Sequence, residues 1–434
     1  MKDEIKIFFR GEVEDSEETL VKYSHDASLL EVRPKIVVFP KDSEDVKNLV
    51  KWVNENKKKY PELSITARCA GTDMSGGAIG ESIILDFTRH MNKLIRWNIP
   101  EENFLETAPS RTQGQENHSF LKNFSQEYSI TVQPGMFYRD FEKLTLEKGL
   151  ILPCYTASKS INAMGGMFGN NSAGERTLKY GKTEDYILET KVVFSDGVER
   201  TIKPIPLNEI SKQEKIYTEV YDLIKNNEEE IKLSKPNVHK NSAGYYIWNV
   251  VQKNLKDFGA FAFRDTGQGT HDSKNLSNFS FDLNKLLVGS QGTLGIATEI
   301  TFKLIPDNKH SKLVVIFMND LAPLGRLVDE ILTLNPETLE AYDDKTMKLA
   351  VRFFPDFLKN KGFFGMIKSM WRFLPEFFMM VTGGFPKLIL LAEFAGDDEV
   401  EIDAKCKELV RNLSARGGPS FGWKLKVHIT KSQT

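Results

Sequence analysis

The sequence predicts an α+β fold, with one set of strands and helices over residues 1–306 and a second over 307–434. Three observations lead there. Apolar runs of strand length flank one clear helical pattern near the N-terminus, turns rich in small residues interrupt the strands at four places, and strand–helix alternation begins afresh after Pro306.

The elements follow in order. IVVF at 36–39 reads as a strand, and the stretch PKDSEDVKNLVKWVNEN as a turn and a helix that puts Val46, Leu49, Val50 and Val53 on one face. LSITA is a second strand, and SIILDF, beyond a glycine-bearing turn, a third; the opening is β-α-β-β. From about residue 129 come the strand SITVQPG, a helix around FYRDFEKLTLEKG, a long small-residue segment, and the strand YILETKVVFSDG with its tight turn. Residues 207–280 are more polar and read as an insertion of helix and loop, after which TLGIATEITFKLIP restores strand character. HSKLVVIFM (strand), LAPLGRLVDEILTL (helix), PKLILLAEFAG (strand) and VEIDAKCKELVRNL (helix) build the second domain. There is no fixed-period repeat and no low-complexity tract.

Composition narrows the function classes. Lys and Arg total 58 against 60 Asp and Glu, so no basic field recruits nucleic acid. Three well-separated cysteines, Cys69, Cys154 and Cys406, argue against a disulfide framework, a zinc site or a cysteine-held iron–sulfur cluster in this chain. Seven histidines include no pair spaced as helical metal ligands, and no metal is expected. The charged N-terminus lacks the apolar core of a secretory signal, so the cytoplasm is the expected compartment.

Chemistry is concentrated in four stretches. RCAGTDMSGG, beginning at Arg68, is a turn whose backbone N–H groups can converge on an anion such as a diphosphate. It is neither a dinucleotide fingerprint opening a helix nor a P-loop: YGKTE at 180–184 would need a glycine where Arg176 stands. SKSINAMGGMFGNNSAGERTLKYGKTEDYI, 158–187, is a long run of Gly, Asn and Ser, and such loops are uncommon in compact domains unless functional. VGSQGTLGIATEITFKLIP repeats the pattern of a glycine loop between apolar runs, and HKNSAGYYIWNV places a small-residue turn before aromatic residues. Each alone is a turn; together they can hold a large ligand with a diphosphate and flat rings.

In order and spacing, these stretches, with YSHDASLLEVRPKIVVFPKDSEDV and VQPGMFYRDFEKLTLEKGLILP, resemble the FAD-linked oxidases of the vanillyl-alcohol oxidase and p-cresol methylhydroxylase fold. Within them the chain looks most like the D-lactate dehydrogenase and glycolate oxidase subunit group, over roughly residues 20–306. The resemblance implies a two-subdomain FAD-binding domain of p-cresol methylhydroxylase type followed by a partial cap. It assigns the pyrophosphate loop to Arg68, Cys69, Ala70, Gly71, Thr72, Asp73, Met74, Ser75 and Gly76, where the family more often has glycine at the positions of Cys69 and Ala70. Pro134 and Gly135 match a Pro-Gly turn beside the cofactor. Ser158, Asn162, Ala163, Gly165 and Gly166 match the segment along the diphosphate and flavin, and Asn170, Asn171, Ser172, Ala173 and Gly174 the turn after it. Gln291, Gly292, Thr293, Leu294, Gly295 and Ile296 match the last motif, in which the family usually has Glu where Gln291 stands.

The same resemblance implies oxidation of a 2-hydroxy acid of the D-lactate or glycolate type by hydride transfer to flavin, the cofactor supplying the redox chemistry. FAD is expected to be non-covalent, since no histidine lies in the first loop. Electrons would pass to a quinone, a cytochrome or an iron–sulfur partner. The chain ends at Thr434 before the second half of the family's cap and its H-x-H segment, which implies a truncated or split chain and leaves room for a separate C-terminal subunit. His428, a lone histidine in KLKVHITK, is not nominated as a base, and the catalytic residue is unassigned. Two other readings stay open: an FAD-binding subunit inactive without a partner, and a flavoenzyme similar to alkyl-glycerone-phosphate synthase. Residues 351–386, rich in Phe and Met with excess Lys and Arg, fit either packing against further cap structure or peripheral contact at the inner face of a membrane.

Overall fold

The computed structural model describes residues 1–99, 128–238, 241–253, 279–359, 386–416 and 426–431. It divides into two compact units, one of Met1–Gly174 with Lys182–Pro306 and one of Glu175–Gly181 with Asp307–Thr434. The sequence reading had placed 175–181 wholly within the first domain.

The first unit opens with β1 (Glu12–Glu14), β2 (Ile36–Phe39), α1 (Ser43–Asn56), β3 (Ile65–Arg68) and β4 (Ile83–Asp86). Asp42 caps α1 by accepting from the backbone N–H of Glu44 at 3.0 Å, and the apolar stripe of Val46, Leu49 and Val50 is buried. The sheet order is β1-β2-β4-β3, with β4 parallel to both β2 and β3. Parallel strands covered on both faces need continuous apolar runs, and IVVF and IILD are buried at every position. Ile36, Val38 and Leu85 pack with α1 on one face; Val37, Phe39 and Ile84 pack with Tyr23 on the other. Full burial of each such side chain contributes about 1.5–3 kcal/mol.

A second, antiparallel sheet is built from β5 (Leu94–Asn98), β6 (Ser129–Val132), β7 (Ile187–Val193), β8 (Glu199–Ile202) and β9 (Ile296–Lys303). Their order is β5-β6-β9-β7-β8. The late strand β9 is inserted between two early ones: Ile300 pairs with Val132 on one side and Thr190 on the other. This insertion carries the glycine loop that precedes Ile296 back to the loops of the chain's first half. Helix α2 (Tyr138–Leu146) covers the sheet through Phe141, edge-on to Phe302 at 5.8 Å. The short helix α3 (Met164–Gly169) lies within the long small-residue segment. Within the expected insertion, helices Lys215–Asn226 and Glu228–Ser234 and a small sheet of Ile205–Pro206, Phe279–Phe281 and Val251–Lys253 are formed.

In the second unit, β10 (His310–Met318), α4 (Leu324–Thr333), β11 (Thr338–Asp343), α5 (Asp344–Lys359), β12 (Leu388–Gly396), α6 (Glu399–Arg416) and β13 (Lys426–Lys431) follow in sequence. The sheet order is β11-β12-β10-β13, antiparallel throughout. Val314, Ile316, Leu390, Ala392 and Phe394 share one face and pack against Leu327 and Ile331 of α4 and Ile402, Cys406 and Leu409 of α6. The backbone of His428 pairs with Val315. Of the basic aromatic stretch at 351–386, residues 360–385 lie outside the described residues.

This unit also holds a buried ion cluster. Glu337, 1% exposed, accepts from Lys179 Nζ at 2.8 Å, Tyr180 OH at 3.2 Å and Asn308 Nδ2 at 3.2 Å, and the Arg176 guanidinium lies 3.6 Å away. Burial works against the Lys179 charge, but Tyr180 and Glu337 outweigh it and hold the ammonium above its ordinary range.

Candidate functional site

The end of β3, the start of α3 and the approach to β9 converge in the first unit on one cleft enclosing about 690 Å³ of empty space, part of it open to solvent. Residues Arg68 to Asp73 line it without a break. Pro134, Ala163, Gly165, Gly166 and Asn170 join them, as do Gln291, Gly292, Gly295 and Ile296. Three expected stretches far apart in sequence thus form one wall.

Other expected residues stand behind that wall. Met74 is 82% exposed, and Gly76 is turned against Leu30. Ser75 bonds back to Asp73. A side chain on Gly135 would strike the Phe87 carbonyl at 2.1 Å, so this glycine allows two backbones to touch. Ser158 Oγ and Asn162 Nδ2 both bond to Thr156 Oγ1, at 2.9 and 2.7 Å, and brace the turn before α3. Asn171 accepts from the Glu184 N–H at 3.0 Å, the Ser172 carbonyl accepts from Thr183, and Gly174 packs against the Tyr155 carbonyl. Ala173 and Leu294 lie outside the lining, and Thr293 bonds to the Ser290 carbonyl at 2.6 Å and to Tyr245 OH at 2.8 Å.

Sequence reasoning missed Ala67, Gly77, Ala78, Phe87, Phe168, Gly169 and Ala297, which complete the lining. Phe87 and Phe168, 1% and 5% exposed, are the aromatic residues at the back of the lining. The signal for Phe168 was available, since it sits inside GGMFGNN; Phe87 reads only as the end of a strand.

Among the described residues, Arg68 is the one cationic side chain on the lining. Its Nη1 donates to the Ala78 carbonyl at 3.1 Å and its guanidinium lies 5.0 Å from the centre of the Tyr23 ring. Burial lowers its pKa, opposed by Asp86. Asp86 accepts from Tyr23 OH at 3.0 Å and from the Thr88 N–H at 2.7 Å, and burial raises its pKa. The Cys69 thiol does not crowd the loop: it donates to the Pro134 carbonyl at 3.3 Å, and burial keeps it protonated.

The lining suits a flavin dinucleotide. No heavy atom lies within 4 Å of where a Gly166 side chain would begin, so this glycine leaves room over the cleft wall. Gly292 has φ +78°, and a Cβ there would stand 3.1 Å from the Ala67 side chain, so a glycine lets the loop lie close to that strand residue. A buried cation, clustered glycine backbone and two phenylalanines match a diphosphate and flat rings in chemistry.

Residues 34–203 match the family described as an FAD binding domain. The chain is 22% identical over 416 residues to a D-2-hydroxyglutarate dehydrogenase of Pseudomonas putida, with 94% of this chain and 34% of that protein covered. It is 25% identical over 338 residues to the glycolate oxidase subunit GlcD of Bacillus subtilis, covering 77% and 51%. An alkyldihydroxyacetonephosphate synthase structure superimposes with TM-score 0.58 at 16% identity, covering 98% of this chain and 59% of that one. Fold and cleft define an FAD-binding protein with a mixed helix-and-sheet architecture. The match to the FAD binding domain spans residues 34–203, and the chain is similar, at 22–25% identity, to D-2-hydroxyglutarate dehydrogenases, a glycolate oxidase subunit and a D-lactate dehydrogenase. It spans about a third of the length of the Pseudomonas putida and Escherichia coli D-2-hydroxyglutarate dehydrogenases.

Proposed function

We propose that this chain is the flavin-holding part of a dehydrogenase that oxidises a D-2-hydroxy acid. The observation that carries the reading is the convergence of three glycine loops on one cleft where, among the described residues, Arg68 is the cationic side chain. Relatives named for D-2-hydroxyglutarate, glycolate and D-lactate support the substrate class. Bound FAD would supply the hydride acceptor. The loops around Arg68, Gly166 and Gly292 would hold its diphosphate and Phe87 and Phe168 would shield its rings from water, the remaining motif residues bracing them. The attachment proposed is non-covalent: among the described residues no histidine lines the cleft, and the Cys69 thiol is turned to the Pro134 carbonyl.

Electrons leave to a quinone, a cytochrome or an iron–sulfur subunit, and the catalytic base and substrate cations lie in a cap that a separate C-terminal subunit can complete. Among the described residues no helix is long and apolar enough to cross a membrane. The setting proposed is cytoplasmic, with peripheral contact at the inner membrane face as the second option.

The test is an absorbance spectrum of the purified chain before and after anaerobic D-lactate and D-2-hydroxyglutarate. Bleaching of a flavin spectrum supports a dehydrogenase whose cap suffices. A flavin spectrum that stays oxidised supports a cofactor-binding part that needs a partner. Absence of flavin after incubation with FAD overturns the proposal.

A further inference from the structure

Asp73, Asn170 and Gln291 come from the three separate loops of the cleft and meet in one hydrogen-bonded chain. Asn170 Nδ2 donates to Asp73 Oδ1 at 3.0 Å, and Gln291 Nε2 donates to Asn170 Oδ1 at 2.9 Å and to Ser75 Oγ at 3.3 Å. Asp73 in turn accepts from the backbone N–H of Gly77 at 2.6 Å and of Ser75 at 3.2 Å. The polarity runs one way: carboxylate accepts from amide, and that amide's oxygen accepts from the next amide. Gln291 adopts φ +51° to reach this position, and its N–H is held by the Gly169 carbonyl at 2.9 Å. A non-glycine residue in the left-handed region costs energy that the surrounding contacts must offset.

We infer that Asp73, Asn170 and Gln291 are positioning residues that latch the three loops together and set how fast FAD leaves. The inference rests on FAD occupying this cleft. A ligand enclosed by three loops escapes when one of them parts from the others, and this chain of side chains spans all three. It also accounts for two features of the sequence together. Gln291 serves as donor to two oxygens, which a carboxylate at that position cannot do, and with Asp73 already present a second carboxylate would add like charge to the latch.

The test is release of FAD from reconstituted protein, followed by recovery of flavin fluorescence in the presence of excess apo-acceptor. Asn170→Asp sets two carboxylates against each other, and Asp73→Asn sets its one NH2 against a donor, either the Asn170 amide or the Gly77 N–H; each is expected to speed release roughly tenfold. The double variant D73N/N170D reverses the donor and acceptor, restores every bond in the chain and is expected to return release to within about twofold of wild type. Release is compared well below the thermal midpoint of every FAD-free protein, so that a loss of general stability is not read as a loosened latch. Single variants that release FAD as slowly as wild type, or a double variant as fast as the singles, would overturn the latch alone. A wild-type chain that binds no FAD would overturn the cleft assignment and the latch with it.

Discussion

Gln291 Nε2 lies 2.9 Å from Asn170 Oδ1 across 121 residues of sequence, and the same side chain covers Gly77, where a Cβ would come within 2.6 Å of Gln291 Cδ. The cleft is therefore an object of three segments in register with one another, and substitutions in it divide by whether they face protein or space.

Adjacent glycines should behave oppositely. A Cβ on Gly165 would stand 2.6 Å from Pro134 Cβ and 2.9 Å from its carbonyl oxygen. Gly165→Ala is expected to cost about 1–3 kcal/mol of stability, read as a lower urea midpoint. Gly166→Ala meets nothing within 4 Å. It should keep wild-type stability yet weaken FAD binding at least about tenfold in a fluorescence titration, because a methyl group takes space at the cleft wall.

Arg68 should carry the cleft's salt-sensitive affinity. Hydrogen bonds to charged groups contribute about 1.5–3 kcal/mol, so Arg68→Ala should raise the FAD dissociation constant roughly 10- to 100-fold. Titrations at low and high salt check this: the wild type should weaken with salt and the variant should respond less. Equal affinity of the two proteins would remove the diphosphate from this end of the cleft.

Glu337 should be a stability residue of the second unit. Removing its carboxylate strands Lys179 and the buried Arg176 in a low-dielectric cluster. Glu337→Ala is expected to cost about 3–5 kcal/mol, measured by urea denaturation followed by circular dichroism. A loss below about 1 kcal/mol would mean that water reaches these cations.

The cysteines predict an alkaline limit. Burial pushes the Cys154 thiol up to about 12 and Cys406 to about 11. In the unfolded chain thiols ionise near 8.5, roughly. The folded state thus holds protons that the unfolded state gives up: this stability is complete below about pH 8.5 and is lost as pH rises toward 11–12. Urea midpoints should hold steady from about pH 7 to 8.5 and decline above, more shallowly in a variant with Cys154 and Cys406 replaced by alanine. A decline of equal slope in that variant would assign the alkaline limit to the buried tyrosines, whose phenols burial also raises, as at Tyr246.

Much of this was legible in sequence because its signals are local. IVVF and SIILDF read as strands because burial on both faces requires unbroken apolar runs, and α1 reads from its Asp42 cap and its apolar stripe. The glycine loops stand out because close backbone approach excludes larger residues. The family resemblance nominated Arg68 through Asp73, Gly166 and Gly292, and they line the cleft.

The tertiary structure decided which small residues face space and which face protein. Gly135 and Gly174 look no different in sequence from Gly166, yet they press on the carbonyls of Phe87 and Tyr155 while Gly166 borders open space. It also decided that β9 inserts between β6 and β7, and so that Gln291 reaches Asn170 and Asp73. The short segment Glu175–Gly181 groups with the second unit through Glu337, a partner 158 residues from Lys179. Sequence by itself determined the elements and the class of ligand, because propensity and backbone sterics act within a few residues. Pairings between distant side chains depend on how strands are ordered in the sheet, and that order is set by the packing of the whole unit.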